Sequence, residues 1–266
     1  MVSKKYTHLF FDLDNTIWDF DSNSYEALYL ALEKLHLLEM TGHYDTFYKI
    51  YSEENDKVWN LYRQGLMPKK VLRVQRFEAS FERNGTPLKI GGGVVNDAYL
   101  LEMVNQTKLI EGARKVLDYL HGRYKIAIIT NGFKEVQYDK IFKSKLSKYF
   151  SKVFISEEIG TPKPGKKIFE HALKSMNAPK KSTLMIGDSW EADILGAMNF
   201  GIDQIYFNPK MNKTATEGIF QLVSKHNNRD ISVNTPPCSV VESDHFQNKK
   251  SRTAYITHLE QLLIIL

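Results

Sequence analysis

Two aspartates are separated by one residue in Phe10-Phe11-Asp12-Leu13-Asp14-Asn15-Thr16, directly after the apolar run Thr7 to Phe11. That run reads as a buried strand, so Asp12 emerges where it ends and Asp14 follows on the same side of an extended backbone. A carboxylate placed there can attack phosphorus and form an aspartyl-phosphate, while a second gives a proton to the leaving oxygen and later takes one from water. The obstacle is charge: a carboxylate and a phosphate oxygen at ~4 Å repel by about 4 kcal/mol per pair of unit charges at an effective dielectric of ~20. Such a site needs cations. Taken alone, Asp-Leu-Asp-Asn-Thr also describes a strand running into an Asx-rich turn, so its partners must decide.

Three later stretches offer them. Thr130-Asn131-Gly132 closes the apolar run Lys125 to Thr130, and Gly160-Thr161-Pro162-Lys163-Pro164-Gly165 presents a lysine on a Pro-stiffened loop. Gly187-Asp188-Ser189-Trp190-Glu191-Ala192-Asp193 follows the apolar run Thr183 to Ile186. Each alone has a plain structural reading: a turn, a solvated lysine, a helix cap. Lys134 and Lys166 read as surface lysines and His8 as a packed residue. Trp18, Asp19 and Phe20, beside the aspartate turn, either contact a substrate or pack a hinge.

The elements that must position these residues follow from periodicity. Strands at about Thr7–Phe11, Lys125–Thr130, Lys152–Ser156, Thr183–Ile186 and Gln204–Phe207 alternate with helices over about 111–123, 135–146, 167–176 and 192–200, the pattern of a parallel sheet with right-handed crossovers. Between the first two strands lie four helical stretches, 21–37, 44–64, 68–84 and 94–106, with Ser22 as N-cap of the first and Phe77 and Phe81 as core. Gly91-Gly92-Gly93 sits between helices and is a turn, not a phosphate cradle. The expected division is a catalytic core of 1–19, 107–209 and 254–266, a helical cap of 20–106, and a polar, proline-broken insertion of 210–253. A terminal helix is expected over 254–266.

Composition excludes several classes. The chain has 266 residues, a formal net charge of +5 and a single cysteine, Cys238, so no intrachain disulfide is possible. The sequence pI near 9.0 comes with interspersed charges and no long basic block, which argues against nucleic acid and suits an anionic small substrate. No apolar run approaches ~20 residues, so no membrane span is expected and a cytoplasmic protein is the expectation.

Asp12 and Asp14, Thr130, Lys163, then Asp188 and Asp193, at four successive loop positions in one chain order, resemble the haloacid dehalogenase superfamily, in the branch whose helical cap lies between the first and second motifs. The resemblance covers about residues 5 to 209 and the expected terminal helix. It implies an α/β fold with a Rossmann-like parallel sheet of order 3-2-1-4-5 and an inserted all-helical cap. It implies Asp12 as nucleophile and Asp14 as general acid/base, the Asp14 carbonyl touching a metal. It further implies Thr130 and Asn131 on the phosphoryl group, Lys163 neutralising charge, and Mg²⁺ held by Asp12, Asp14 and Asp188 with Asp193 in support. Phe-Asp-Leu-Asp-Asn-Thr-Ile-Trp-Asp-Phe and Thr-Asn-Gly-Phe, with Gln137 downstream, are most similar to cytosolic 5'-nucleotidases acting on pyrimidine and non-standard nucleoside monophosphates. The expected activity is Mg²⁺-dependent phosphomonoester hydrolysis of a small phosphorylated metabolite by a monomer or homodimer, with Trp18 and Phe20 as candidate substrate contacts. Alternatives are a sugar-phosphate phosphatase or phosphomutase, and an inactive binding scaffold. A dehalogenase is disfavoured by Asp14, which that branch lacks.

Overall fold

The computed structural model describes residues 5–210, the strand 239–241 and residues 251–266. The expectations for Cys238 and for most of the 210–253 segment lie outside the described residues.

The chain divides into two compact units, one of residues 1–19, 109–137 and 145–266, the other of residues 20–108 and 138–144. The first is built on a single sheet of order β3-β2-β1-β4-β5-β7-β6. Its strands are β1 His8–Phe11, β2 Lys125–Thr130, β3 Lys152–Ile155, β4 Thr183–Gly187, β5 Asp203–Phe207, β6 Ser239–Val241 and β7 Thr253–Ile256. The pairs β1–β2, β1–β4, β2–β3, β4–β5 and β5–β7 are parallel, with Phe10 opposite both Ala127 and Met185. Among the described strands, β6 alone runs antiparallel, against β7. The β1 strand is buried along its whole length, as a central parallel strand covered on both faces must be. One core layer joins Phe10, Ile129, Phe154, Ile168, Phe169 and Met185. His8 is buried, as its place in β1 requires, and Lys134 and Lys166 are exposed.

The 254–266 segment corrects the expected terminal helix. Thr253–Ile256 is a strand paired to β5, and helix is confined to a turn at Leu259–Gln261 and the short Leu262–Ile265. A short apolar run fits either period, and here the free edge of β5 supplies backbone partners that a helix would not use.

The second unit contains α1 Phe20–Lys34, α2 Tyr44–Arg63, α3 Lys69–Arg83 and α4 Gly92–Met103. It also takes in Tyr138–Ser144, which includes the later part of a helix that runs from Lys134 to Lys143. Helix α1 packs on α4, α2 on α3, and α3 on α4. Helix α1 begins at Phe20, so Ser22 lies within its first turn instead of capping it, and its hydroxyl accepts from Lys108 Nζ at 2.8 Å. Phe47 and Phe81 meet at 4.6 Å between ring centroids, and Tyr51 stacks on Phe77 at 5.4 Å. Among the described residues, no helix is long and apolar enough to cross a membrane.

Candidate active site

The site is assembled from the C-terminal ends of β1, β2 and β4 and from the loop that follows β3. This is where an open parallel sheet exposes backbone and loop groups to a ligand. Asp12 continues β1, its N–H donating to the Ile186 carbonyl at 2.9 Å. The chain then turns sharply, because the Leu13 carbonyl accepts from the N–H groups of Ile17 at 2.9 Å and Trp18 at 2.8 Å, with Asn15 in the left-handed region at φ 58°. Asparagine tolerates that conformation. The turn keeps both carboxylates at the strand end and carries Thr16, whose hydroxyl donates to Asp188 Oδ1 at 3.0 Å.

Lys163 is 2% exposed, and its ammonium group is fully engaged by three acceptors. These are Asp12 Oδ1 at 2.5 Å, Asp193 Oδ1 at 2.6 Å and the Ile129 carbonyl at 2.7 Å. Burial alone would weaken that cation, but the two carboxylates outweigh it and hold the Lys163 pKa above its ordinary value. Asn131 sets the height of the lysine loop: its side chain accepts from the Lys163 N–H at 2.8 Å and donates to the Lys163 carbonyl at 3.0 Å. The Asn131 side chain thus braces Lys163. Thr130, 1% exposed, ends β2, and its oxygen accepts from the Gly132 N–H at 3.1 Å and Gln137 Nε2 at 2.6 Å.

Asp188 follows β4, and Asp193 lies on the π-helical turn Trp190–Leu195. Asp193 is fully buried and both its oxygens are engaged, Oδ1 by Lys163 and Oδ2 by the Ser189 N–H at 3.0 Å. A side chain at position 187 would overlap the Asp193 carboxylate, which is why a glycine ends β4. Carboxylate oxygens of Asp12, Asp188 and Asp193 lie within 4.8 Å of one another. Burial, with the neighbouring carboxylates adding to it, pushes Asp12 well above the usual carboxylate range despite Lys163. Burial and then Asp193 push Asp188 up to about 7 against the Thr16 hydrogen bond and Lys163.

An array of oxygen donors carrying more negative charge than one lysine offsets fits a hard divalent cation. Asp12 and Asp188 suit direct contact. Asp193, with both oxygens occupied, suits a supporting place.

Trp18 is fully buried. Phe20 belongs to the helical unit, where Lys140 Nζ lies 5.3 Å above its ring centroid. Two participants were given no role from the sequence. Thr16 stands inside the aspartate motif, and its contact runs to a residue distant in the chain. Gln137 donates to both Asp14 Oδ2, at 2.9 Å, and Thr130. Its signal was its place in the first turn of a helix that starts beside Thr130-Asn131-Gly132, where side chains lean back toward the preceding strand end.

A family model described as haloacid dehalogenase-like hydrolase matches residues 6–201. The chain is 34% identical over 216 residues, 81% of this chain and 91% of the relative, to the pyrimidine 5'-nucleotidase YjjG of Escherichia coli. It is 32% identical to the pyrimidine 5'-nucleotidase PynA of Streptococcus pneumoniae, covering 82% of this chain and 92% of the relative. Among solved structures, the magnesium-bound HAD-hydrolase YfnB of Bacillus subtilis superposes with a TM-score of 0.77 at 26% identity, covering 99% of each chain. With a family model spanning the strands and loops that carry every one of these carboxylates, and relatives aligned along most of its length, the chain belongs to the haloacid dehalogenase-like hydrolases.

Proposed function

We propose that this hydrolase is a Mg²⁺-dependent phosphomonoesterase in which Asp12 is the nucleophile. The observation that carries this reading is the Asp12 carboxylate held by Lys163 against Asp193, with Asp188 beside it. The Asp12 carboxylate attacks phosphorus, the bond from phosphorus to the leaving oxygen breaks, and Asp14 gives that oxygen its proton. Asp14 then takes a proton from water, which attacks the aspartyl-phosphate and releases inorganic phosphate and the free Asp12 carboxylate. Lys163 neutralises charge on Asp12 throughout, and the Thr130 hydroxyl donates to a phosphoryl oxygen. Asp12, Asp188 and the Asp14 carbonyl would hold Mg²⁺, which would supply the remaining charge compensation.

Nucleoside 5'-monophosphates, pyrimidine ones in particular, are the proposed substrates, supported by the names of the two nucleotidase relatives. Catalytic core and helical cap are proposed as the roles of the two units, with discrimination among esters belonging to the cap. The test is phosphate release from a panel of nucleotides and hexose phosphates, with and without Mg²⁺, for wild type and Asp12→Asn. Pyrimidine nucleotides should lead the panel, chelator should abolish turnover, and Asp12→Asn should lose on the order of a thousand-fold or more and form no phosphoenzyme. A panel led by hexose phosphates would move the reading to a sugar-phosphate phosphatase or mutase. Undiminished turnover in excess chelator would remove the metal from it.

A further inference from the structure

Gln137 is fully buried, and its amide stands between two groups of the site. Nε2 donates one hydrogen to Asp14 Oδ2 at 2.9 Å and the other to Thr130 Oγ1 at 2.6 Å. Among the described residues, Oε1 is buried with no hydrogen-bond partner. An unpaired buried carbonyl is unfavourable, and an apolar side chain of the same size would avoid it. Turning the amide over would place that oxygen against the Asp14 carboxylate, so the observed orientation is the one that charge permits. Room has also been made for the side chain, because a Cβ at Gly132 would overlap the Gln137 amide.

We infer that Gln137 is a positioning residue for the hydrolytic step, one that decides where two protons of the site point. This rests on the phosphomonoesterase reading above. The first proton is that of Asp14: with Oδ2 already accepting from Nε2, the acid form of Asp14 carries its hydrogen on Oδ1. The second is that of Thr130: its oxygen accepts from both Gln137 Nε2 and the Gly132 N–H, so its own hydrogen is directed away from both donors. Gln137 neither gives nor takes a proton in the reaction. It orients the acid that protonates the leaving oxygen and the hydroxyl that donates to the phosphoryl group, and it does so without touching substrate.

The two ester classes separate this role from a merely structural one. An alkyl phosphate expels a strongly basic alkoxide and needs the proton from Asp14. p-Nitrophenyl phosphate expels a stable phenolate and does not. The experiment compares kcat/KM, which reports steps through the first phosphoryl transfer, for wild type and Gln137→Met on p-nitrophenyl phosphate and on the alkyl monoester that wild type hydrolyses best. Gln137→Met keeps the volume but removes both donors. Its loss on the alkyl ester should exceed its loss on the aryl ester by at least about tenfold. Equal losses on the two esters would overturn the inference and leave the phosphatase reading standing. A wild type that releases phosphate from neither ester would overturn that reading and this inference with it. Should Gln137→Met fail to fold, Gln137→Asn carries the same comparison, because its amide is one methylene too short to reach Asp14 and Thr130 as Gln137 does and it should show a difference in the same direction.

Discussion

Each of the two units buries a basic side chain, and they neutralise it in opposite ways. In the sheet unit, Lys163 is met by the carboxylates of Asp12 and Asp193, with Asp188 close by. In the helical unit, Arg76 is equally buried at 2% exposure, yet among the described residues no carboxylate pairs with it. Its guanidinium donates to Asn96 Oδ1 at 2.8 Å, Asn55 Oδ1 at 3.2 Å and the Tyr51 hydroxyl at 3.4 Å. It also lies 4.7 Å from the Phe77 ring centroid and 5.0 Å from that of Tyr99, while its Nε finds no acceptor among the described residues. Around Lys163 negative charge is in excess, which calls for a further cation and makes the region responsive to pH and metal. Around Arg76, among the described residues, dipoles and ring faces answer the charge, which fixes how α2, α3 and α4 fit together.

The largest expected effect is on the side with excess charge. Lys163→Met strands buried carboxylates without their cation and should cost about 3–5 kcal/mol of stability as well as abolishing turnover. Its deficit should shrink as pH falls. Carboxylates whose folded pKa is raised bind protons that the unfolded chain has already lost, so lowering the pH favours the folded form. Chemical denaturation of the metal-free variant at two pH values measures this, and a deficit independent of pH would break the contrast.

The second effect concerns the metal. Asp188 titrates near 7 in the folded protein without a cation and near 3.8 as an unperturbed group. Metal-free stability should therefore fall as pH rises from about 4 through 7, and Mg²⁺, which competes with the Asp188 proton, should stabilise more at higher pH. The Mg²⁺-induced rise in Tm should be larger at about pH 8.5 than at about pH 5.5 by roughly 2–4 °C, equivalent to about 1 kcal/mol. Equal rises at both pH values would show that this carboxylate does not meet the ion.

The smallest effect belongs to the helical unit. Arg76→Met removes a desolvated charge while leaving Asn55, Asn96 and Tyr51 to find other partners, and these opposing terms should hold the change within about 2 kcal/mol. That change should not vary between pH 5.5 and 8.5, and turnover should stay within a few-fold. A pH-dependent cost, or a loss as large as that of Lys163→Met, would reveal a hidden anion near Arg76 and erase the contrast.

The sheet side of this contrast was largely legible in the amino-acid sequence. Asp12, Thr130 and Asp188 each stand at the end of an apolar run, and strand ends in a parallel sheet meet on one edge. Lys163 could be located because prolines on both sides announce a rigid loop. Gln137 and Thr16 could not be assigned contacts, because the groups they touch are distant in sequence and pairing across loops leaves no period. Arg76 was equally hidden. It lies next to Phe77 on a helix whose other basic residues are mostly at the surface, and periodicity names a face without saying what a charge on that face will meet. Strand β7 escaped because a short apolar run at the end of a polar segment carries no mark of helix or strand, and its choice depends on the open edge of β5.

That last strand has a consequence for how the protein is made. Thr253 donates to Gln204 across a separation of 49 residues, whereas every carboxylate and the lysine of the site lie at or before Asp193. During synthesis the whole catalytic edge therefore exists before the neighbour that covers β5. For that interval a hydrophobic parallel strand presents unpaired N–H and C=O groups to whatever else is nascent. The exposure ends only when Thr253–Ile256 have left the ribosome and paired with β5. A chain cut short before residue 253 would carry every site residue and still present an adhesive edge, and its failure in a cell would be one of solubility and not of chemistry.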